Sequence, residues 1–320
     1  MPITNDMFDK HDIRFMTVMR ENPETTVQYM VNFIITDCLF DLIQSPFFLP
    51  ANRIFFPAYF KYIYSTEAKE FQNVRRHLRE SKSIDTDSIS EYPHTEPVNH
   101  LIEAVANLPR REANDYYLDL LEELEQIISG KITFSQKEGI APVEFKLKPN
   151  KGESIDMYLA SSSSNQLTML YLYFKYWARK SYNFLIIDEP EENLHPQNQI
   201  KIANILLKFA NRDNNKVLIT THSPLLAETI NNDMYMSYIK EHQPEETVSK
   251  LADDYVIENT LKSEDYGVYF FDGGRTTQYK ADSYGIYFKD FAQEETKVRE
   301  HSDALRARIY TIQNDKQYHD

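Results

Sequence analysis

Hydrophobic positions change their spacing near Gly130. Up to there they recur mostly at the three-to-four-residue interval of helices. Asn22-Pro23 marks a helix start, a capping residue followed by proline at the first helical position, and the apolar run behind it predicts a helix to about Gln44. Phe47-Phe48-Leu49 reads as a short buried strand ended by Pro50. A second helix is predicted over 59–79, a polar and acidic linker with two prolines over 81–97, and two further helices near 98–107 and 111–129.

From Gly130 the runs shorten and alternate. KITFS, VEFKLK and SIDMYLA predict three strands. SSSSNQ then precedes LTMLYLYFKYWARK, a helix so apolar on every side that it must be buried. NFLIIDEP is a continuous apolar run ending in acids, as expected of a central parallel strand. A helix over 196–211, the strand KVLITT and a helix opened by Ser223-Pro224 follow. Strand and helix in this alternation predict an α/β fold, a parallel sheet with flanking helices, joined to a mainly helical N-terminal region. The expected organisation is a helical region over 1–129, a core over 130–240 and an α+β extension over 241–320. That extension has the short strands GVYFFDG and TTQYK and a charged helix near 290–313.

Charge and composition narrow the function. The 320 residues carry 35 basic and 49 acidic side chains, a net charge of −14, so the chain as a whole is not built to coat nucleic acid. Locally, Lys69, Arg75, Arg76, His77, Arg79 and Lys82 form a basic stretch, either a solvated helix face or a patch for nucleic acid or a partner. A single cysteine, Cys38, excludes an internal disulfide or a multi-cysteine metal site and fits a reducing compartment. There is no basic-then-apolar secretion signal at the N-terminus and no membrane-length apolar run, so a cytoplasmic protein is expected. The seven glycines include no two that are five apart. The G-x-x-x-x-G-K-[ST] phosphate loop is therefore absent from these residues, as is G-x-G-x-x-G.

Three stretches carry candidate chemistry. A parallel strand delivers its last residues to the ligand-binding edge of a sheet. Asp188 there can hold Mg²⁺, and Glu189 beside it can deprotonate an attacking water. Taken alone, such a run is also what a strand ending in a surface acidic turn shows. His222, 34 residues past Asp188, ends the next apolar strand and would sit on the same edge, able to contact a terminal phosphate. Ser161, Ser162, Ser163, Ser164, Asn165 and Gln166 open the buried helix. Ser163 and Gln166 have capping-box spacing, and a hydroxyl-rich helix N-terminus is also an anion site.

In this order, SSSSNQ, FLIIDEPEENLHPQNQ and VLITTHSP resemble the C-terminal half of an ABC-type ATPase, of the SMC-like branch labelled AAA among bacterial ATP-binding proteins. Phe48-Leu49-Pro50-Ala51-Asn52-Arg53 is similar to a P-A-x-R segment that such proteins carry before a helical insertion. The resemblance spans roughly 46–230. It implies that the serine-rich segment is the signature motif and that Phe184 to Glu189 is Walker B. Glu191 to His195, including Asn193, corresponds to the D-loop, and His222 to the switch histidine. ATP and Mg²⁺ are the implied cofactors, with Asp188 on the metal, Glu189 and His222 catalytic, and the serine cluster, Asn165, Gln166, Asn193 and His195 on the nucleotide or dimer side. Two departures stand out: Ser163 or Ser164 replaces the usual signature glycine, and no Walker A or assignable Q-loop is present, as if the sequence began part-way through the domain.

Proteins of this type work as head-to-tail pairs with ATP sandwiched between Walker motifs of one protomer and the signature of the other. The resemblance thus implies a partner: a second copy, or a polypeptide that brings Walker A. It also implies a setting in bacterial anti-phage defence beside a nuclease or toxin effector. The alternative is a non-catalytic dimerisation module derived from such an ATPase. A fused TOPRIM nuclease is not expected, because the 98 residues after His222 hold no strand ending in E-G next to a D-x-D strand.

Overall fold

The computed structural model describes residues 46–60, 62, 95–136, 143–243, 260–272, 274–280 and 285–317. The helix expected from Asn22 to Gln44, Cys38, the basic stretch from Lys69 to Lys82 and most of the 81–97 linker lie outside these residues. The chain divides into two compact units, 1–46 and 47–320, and every described residue but Pro46 belongs to the second.

The strand expected at Phe47 is β1, Pro46–Leu49. It leads through a 3-10 turn, Ala51–Ile54, into helical residues 55–60. Helix α1 (Glu96–Ala106) starts two residues earlier than its pattern predicts, with Pro97 in its first turn. Helix α2 (Leu118–Ile128) starts seven residues later than expected. The reason is tertiary. Asn114 and the buried Tyr117 are tied to backbone around residues 175–180: Asn114 N–H donates to Lys175 O at 2.9 Å, and Tyr117 Oη donates to Arg179 O at 3.1 Å. Chain held in that way cannot also wind into a helix.

Helix α2 ends at Ser129 in the left-handed region, φ 60°. Gly130 then enters β2 (Gly130–Ser135), where a Cβ would lie 2.4 Å from Lys148 O, so only glycine fits. Strand β2 pairs antiparallel with β3 (Glu144–Pro149), and β3 with β4. Strand β4 is only Ile155–Asp156, shorter than SIDMYLA predicts. Its remainder turns as a 3-10 segment, Met157–Leu159, that buries Met157 and returns the chain to α3.

Helix α3 (Ser162–Leu172) is buried from Ser164 to Leu172, as its all-round apolar pattern requires. It does not continue to Lys180. Tyr173–Trp177 widen into a π turn, closed by Ala178 N–H on Tyr173 O at 2.7 Å. Strand β5 (Phe184–Asp188), helix α4 (Pro196–Ala210) and strand β6 (Lys216–Thr220) form the expected parallel unit. The sheet order is β1-β5-β6, which puts β5 in the centre. Helix α2 packs against α3 and α4, and α4 against α5 (Pro224–His242). One hydrophobic core joins Leu49, Phe60, Leu101, Leu124, Phe145, Leu170, Phe174, Ile187 and Phe209.

Beyond α5, the hairpin β7 (Val268–Asp272) and β8 (Arg275–Tyr279) precedes the 29-residue helix α6 (Lys289–Gln317). The segment is fastened to α5. Asn231 exchanges two hydrogen bonds with Ile286 backbone at 2.8 and 2.9 Å, and Asp233 Oδ2 accepts from Leu261 N–H and Tyr266 Oη at 3.0 and 2.6 Å. Among the described residues no helix is long and apolar enough to cross a membrane.

Candidate functional site

Parallel pairing of β5 and β6 in the register Asp188↔Thr220 carries both strand ends to one edge of the sheet. Thr220 Oγ1 donates to Asp188 Oδ1, which fixes the carboxylate at the strand end. Glu189 follows in the left-handed region, φ 44°, with its N–H on Thr220 O at 3.1 Å. A side chain in that conformation costs ~1–2 kcal/mol. Here it turns the Glu189 carboxylate out of the strand and towards the neighbouring loop. His222 meets it there: His222 Nε2 lies 3.7 Å from Glu189 Oε1, and the imidazole is 88% exposed. The sequence-predicted trio of Asp188, Glu189 and His222 is thus assembled on one edge.

Two buried side chains to which sequence reasoning assigned no individual role hold this edge in place. Arg53 is 0% exposed. Its Nη1 donates to Asp188 O at 2.6 Å and Pro50 O at 2.9 Å, its Nη2 to Glu189 O at 3.1 Å, and its Nε to Gln166 O at 3.2 Å. One guanidinium therefore ties together the 3-10 turn, α3 and the acidic strand end. Burial pulls its pKa down to about 10, against the opposing pull of Glu192, Asp188, Glu191 and Glu189. Glu191, also buried, braces the other side: its Oε1 accepts from Thr221 Oγ1 at 2.6 Å and from His222 N–H at 2.9 Å. The sequence signal for Arg53 is the P-A-x-R segment, and for Glu191 its place at the start of the stretch, Glu191 to His195, that resembles a D-loop.

The serine segment lies beside the same turn. Helix α3 is capped by Ser161, whose Oγ accepts from Ser164 N–H at 3.1 Å, not by the Ser163–Gln166 capping box that spacing predicts. Ser163 Oγ instead donates to Asn193 O at 2.9 Å, across to the acidic turn. Ser162 is exposed. Asn165 and Gln166 are buried and turn inward. Asn165 Nδ2 donates to Met157 O at 2.9 Å, and Gln166 Nε2 to Ala51 O and Glu192 Oε2, both at 3.3 Å. Asn193 sits in the left-handed region, φ 59°. His195 caps α4, its Nδ1 accepting from Gln197 N–H at 3.3 Å. Ser223 caps α5 and donates to Gln199 Oε1 at 2.7 Å, linking the histidine loop to α4.

Among the described residues no three His, Cys, Asp or Glu side chains gather to hold a metal by themselves. The arrangement instead offers one carboxylate, Asp188, beside the hydroxyl of Thr220. That hard oxygen set suits Mg²⁺, which takes one or two carboxylates and fills its remaining positions with water and phosphate oxygens. The hydroxyls and leading N–H groups of α3 suit the terminal phosphate of a nucleotide.

Residues 34–227 match the family model of the AAA ATPase domain. The chain belongs to this family. The match holds β1, Arg53, the serine segment, Asp188, Glu189, Glu191 and His222, and it ends in the first turn of α5. ATP binding and hydrolysis are the chemistry of an AAA ATPase domain. The hairpin and α6 lie outside the matched residues. No protein of curated function matches the chain.

Proposed function

We propose that this AAA ATPase domain supplies the Walker B, D-loop, switch and signature parts of an ABC-type nucleotide sandwich. Walker A comes from polypeptide outside these 320 residues. The observation that carries the reading is the delivery of Asp188, Glu189 and His222 to one sheet edge, with Glu189 turned out of the strand beside His222.

When bound, Mg-ATP supplies the γ-phosphoryl group and the charge that neutralises it. Asp188, held by Thr220, is placed to bind the metal. Glu189 is placed to take the proton of the attacking water at a carboxylate oxygen. His222, protonated or as its Nε2–H tautomer, donates a hydrogen bond towards the terminal phosphate. Ser162 and Ser163 would face the phosphates of a second protomer, and the Ser163 hydroxyl, which donates to Asn193 O, joins that face to the acidic turn. Glu191 and Arg53 hold backbone and touch no substrate. Anti-phage defence beside a nuclease or toxin effector is the setting that the family resemblance favours.

The test uses the protein completed with a Walker A polypeptide. Glu189→Gln should bind Mg-ATP and accumulate as a closed dimer, with turnover lowered ~10²–10⁴-fold. Asp188→Asn should lose the Mg²⁺-dependent part of ATP affinity. The opposite pattern would reverse the two roles. Steady-state hydrolysis by the 320-residue chain alone, abolished by Glu189→Gln, would overturn the need for an outside Walker A.

A further inference from the structure

The imidazole of His222 is 88% exposed, so little packs against its ring, and its position is only as definite as the backbone that carries it. Glu191 holds one side of that backbone, accepting from the His222 N–H at 2.9 Å and the Thr221 hydroxyl at 2.6 Å. The other side, Ser223, is held by Gln199.

Gln199 lies in the first turn of α4, where its own N–H donates to His195 O at 3.1 Å. Its side chain bridges two loops. Nε2 donates to Leu194 O at 3.1 Å, and Oε1 accepts from Ser223 Oγ at 2.7 Å. A carbonyl oxygen only accepts, so Leu194 fixes which end of the amide faces which loop. Ser223 must then donate its one proton to Gln199, while its lone pair takes the Leu226 N–H at 3.1 Å as the cap of α5. Leu194 and Ser223 are both buried, which shelters these bonds from competing water.

Both ties on the His222 loop thus start from the segment that follows Glu189. Glu192 N–H donates to Glu189 O, and Leu194 N–H to Glu191 O, each at 3.1 Å, so tight turns lead from Glu189 to Leu194. Gln199 closes the path back to the loop that carries His222. Without its amide, Glu191 alone would tie that loop to the acidic turn, and the loop could pivot about this contact. A pivot changes the gap between His222 Nε2 and Glu189 Oε1, 3.7 Å here. We infer that Gln199 is a positioning residue for ATP hydrolysis, which sets His222 against Glu189 by bridging Leu194 and Ser223. The inference rests on the roles proposed above for Glu189 and His222, and Gln199 itself touches no substrate.

Amide exchange in the full chain without nucleotide tests the geometry. In Gln199→Met, which keeps the length and loses both bonds, the His222 and Ser223 N–H groups should exchange ~10-fold faster. The Glu189 N–H, on Thr220 O, and the Asn183 N–H, on Asn215 Oδ1, should be unchanged. Faster exchange at all of these would mark general destabilisation, and unchanged exchange at His222 would show a loop that does not need the amide. Either result overturns the inference.

Turnover in the protein completed with a Walker A polypeptide tests the role. Gln199→Met should lower kcat ~10–10²-fold, as expected for a misplaced group, with KM within ~2-fold. In a His222→Ala background the same change should cost less than ~2-fold, because a residue acting through His222 has nothing left to position. Gln199→Glu keeps the acceptor for Ser223 and loses the donor to Leu194 O, so it should also lower kcat. An additive loss in the double variant, or a Gln199→Glu indistinguishable from the parent, overturns the inference. Glu189→Gln reads the sandwich separately. If it traps the closed dimer while Gln199→Met and His222→Ala are additive, the inference fails and the proposed function stands.

Discussion

Replacing Arg53 by alanine removes four guanidinium hydrogen bonds at once, to the carbonyl oxygens of Pro50, Gln166, Asp188 and Glu189. Charge-assisted hydrogen bonds are worth ~1.5–3 kcal/mol each. The sum is not all gain. Burial lowers the Arg53 pKa from 12.5 to about 10, which sets ~3 kcal/mol against keeping the side chain charged. Removing one partner of a buried charged set typically costs ~3–5 kcal/mol, and we expect Arg53→Ala to fall there. Arg53→Lys keeps the charge but loses the planar fork that reaches three chain segments, so an intermediate loss of ~1–3 kcal/mol is expected. Urea unfolding of the full chain, followed by far-UV circular dichroism, gives both numbers. Amide exchange at Glu189 gives the local one: its N–H, held on Thr220 O at 3.1 Å, should exchange faster in Arg53→Ala. A loss below ~1 kcal/mol for Arg53→Ala, with Glu189 exchange unchanged, would refute the idea that this side chain braces the acidic edge.

Glu191→Ala should free Thr221 and the His222 N–H and cost ~1–3 kcal/mol, whereas Glu191→Gln, which keeps an acceptor oxygen, should cost less. Equal losses for the two variants would show that these bonds do not hold the loop. Ser161→Ala should cost ~1 kcal/mol as a lost helix cap, and Ser163→Ala should leave the cap intact; the reverse order in thermal melts would restore Ser163 as the cap. Asp233 gives a pH dependence. Burial raises its pKa, so the native state holds this proton more tightly than the unfolded chain does. Stability is lost as pH rises from the ordinary carboxylate value, 3.8, through the raised one. Asp233→Asn keeps an acceptor for Leu261 and Tyr266 without that loss, so it should be at least as stable as the parent at neutral pH, with the advantage fading towards pH ~4. A stability difference independent of pH would contradict this.

Near-neighbour signals in the amino-acid sequence determined a good part of the protein. The apolar run ending in Asp188-Glu189, the next one ending before His222, and the pair Ser223-Pro224 each lie within a few residues, and each became the predicted strand end or helix start. The all-round apolar pattern of α3 was enough to bury it. Tertiary structure decided what those signals cannot encode. Arg53 reaches carbonyls 113, 135 and 136 residues away, Glu191 reaches the histidine loop 31 residues on, and Ser163 spends its hydroxyl on Asn193 rather than on its own helix. The late start of α2 was settled the same way, by contacts from Asn114 and Tyr117 to residues 175–180. Periodicity and capping describe a chain's relation to itself over about one turn or one pleat. A buried guanidinium or carboxylate must satisfy its charge wherever packing places partners, and that location exists only once the sheet and α3 have come together.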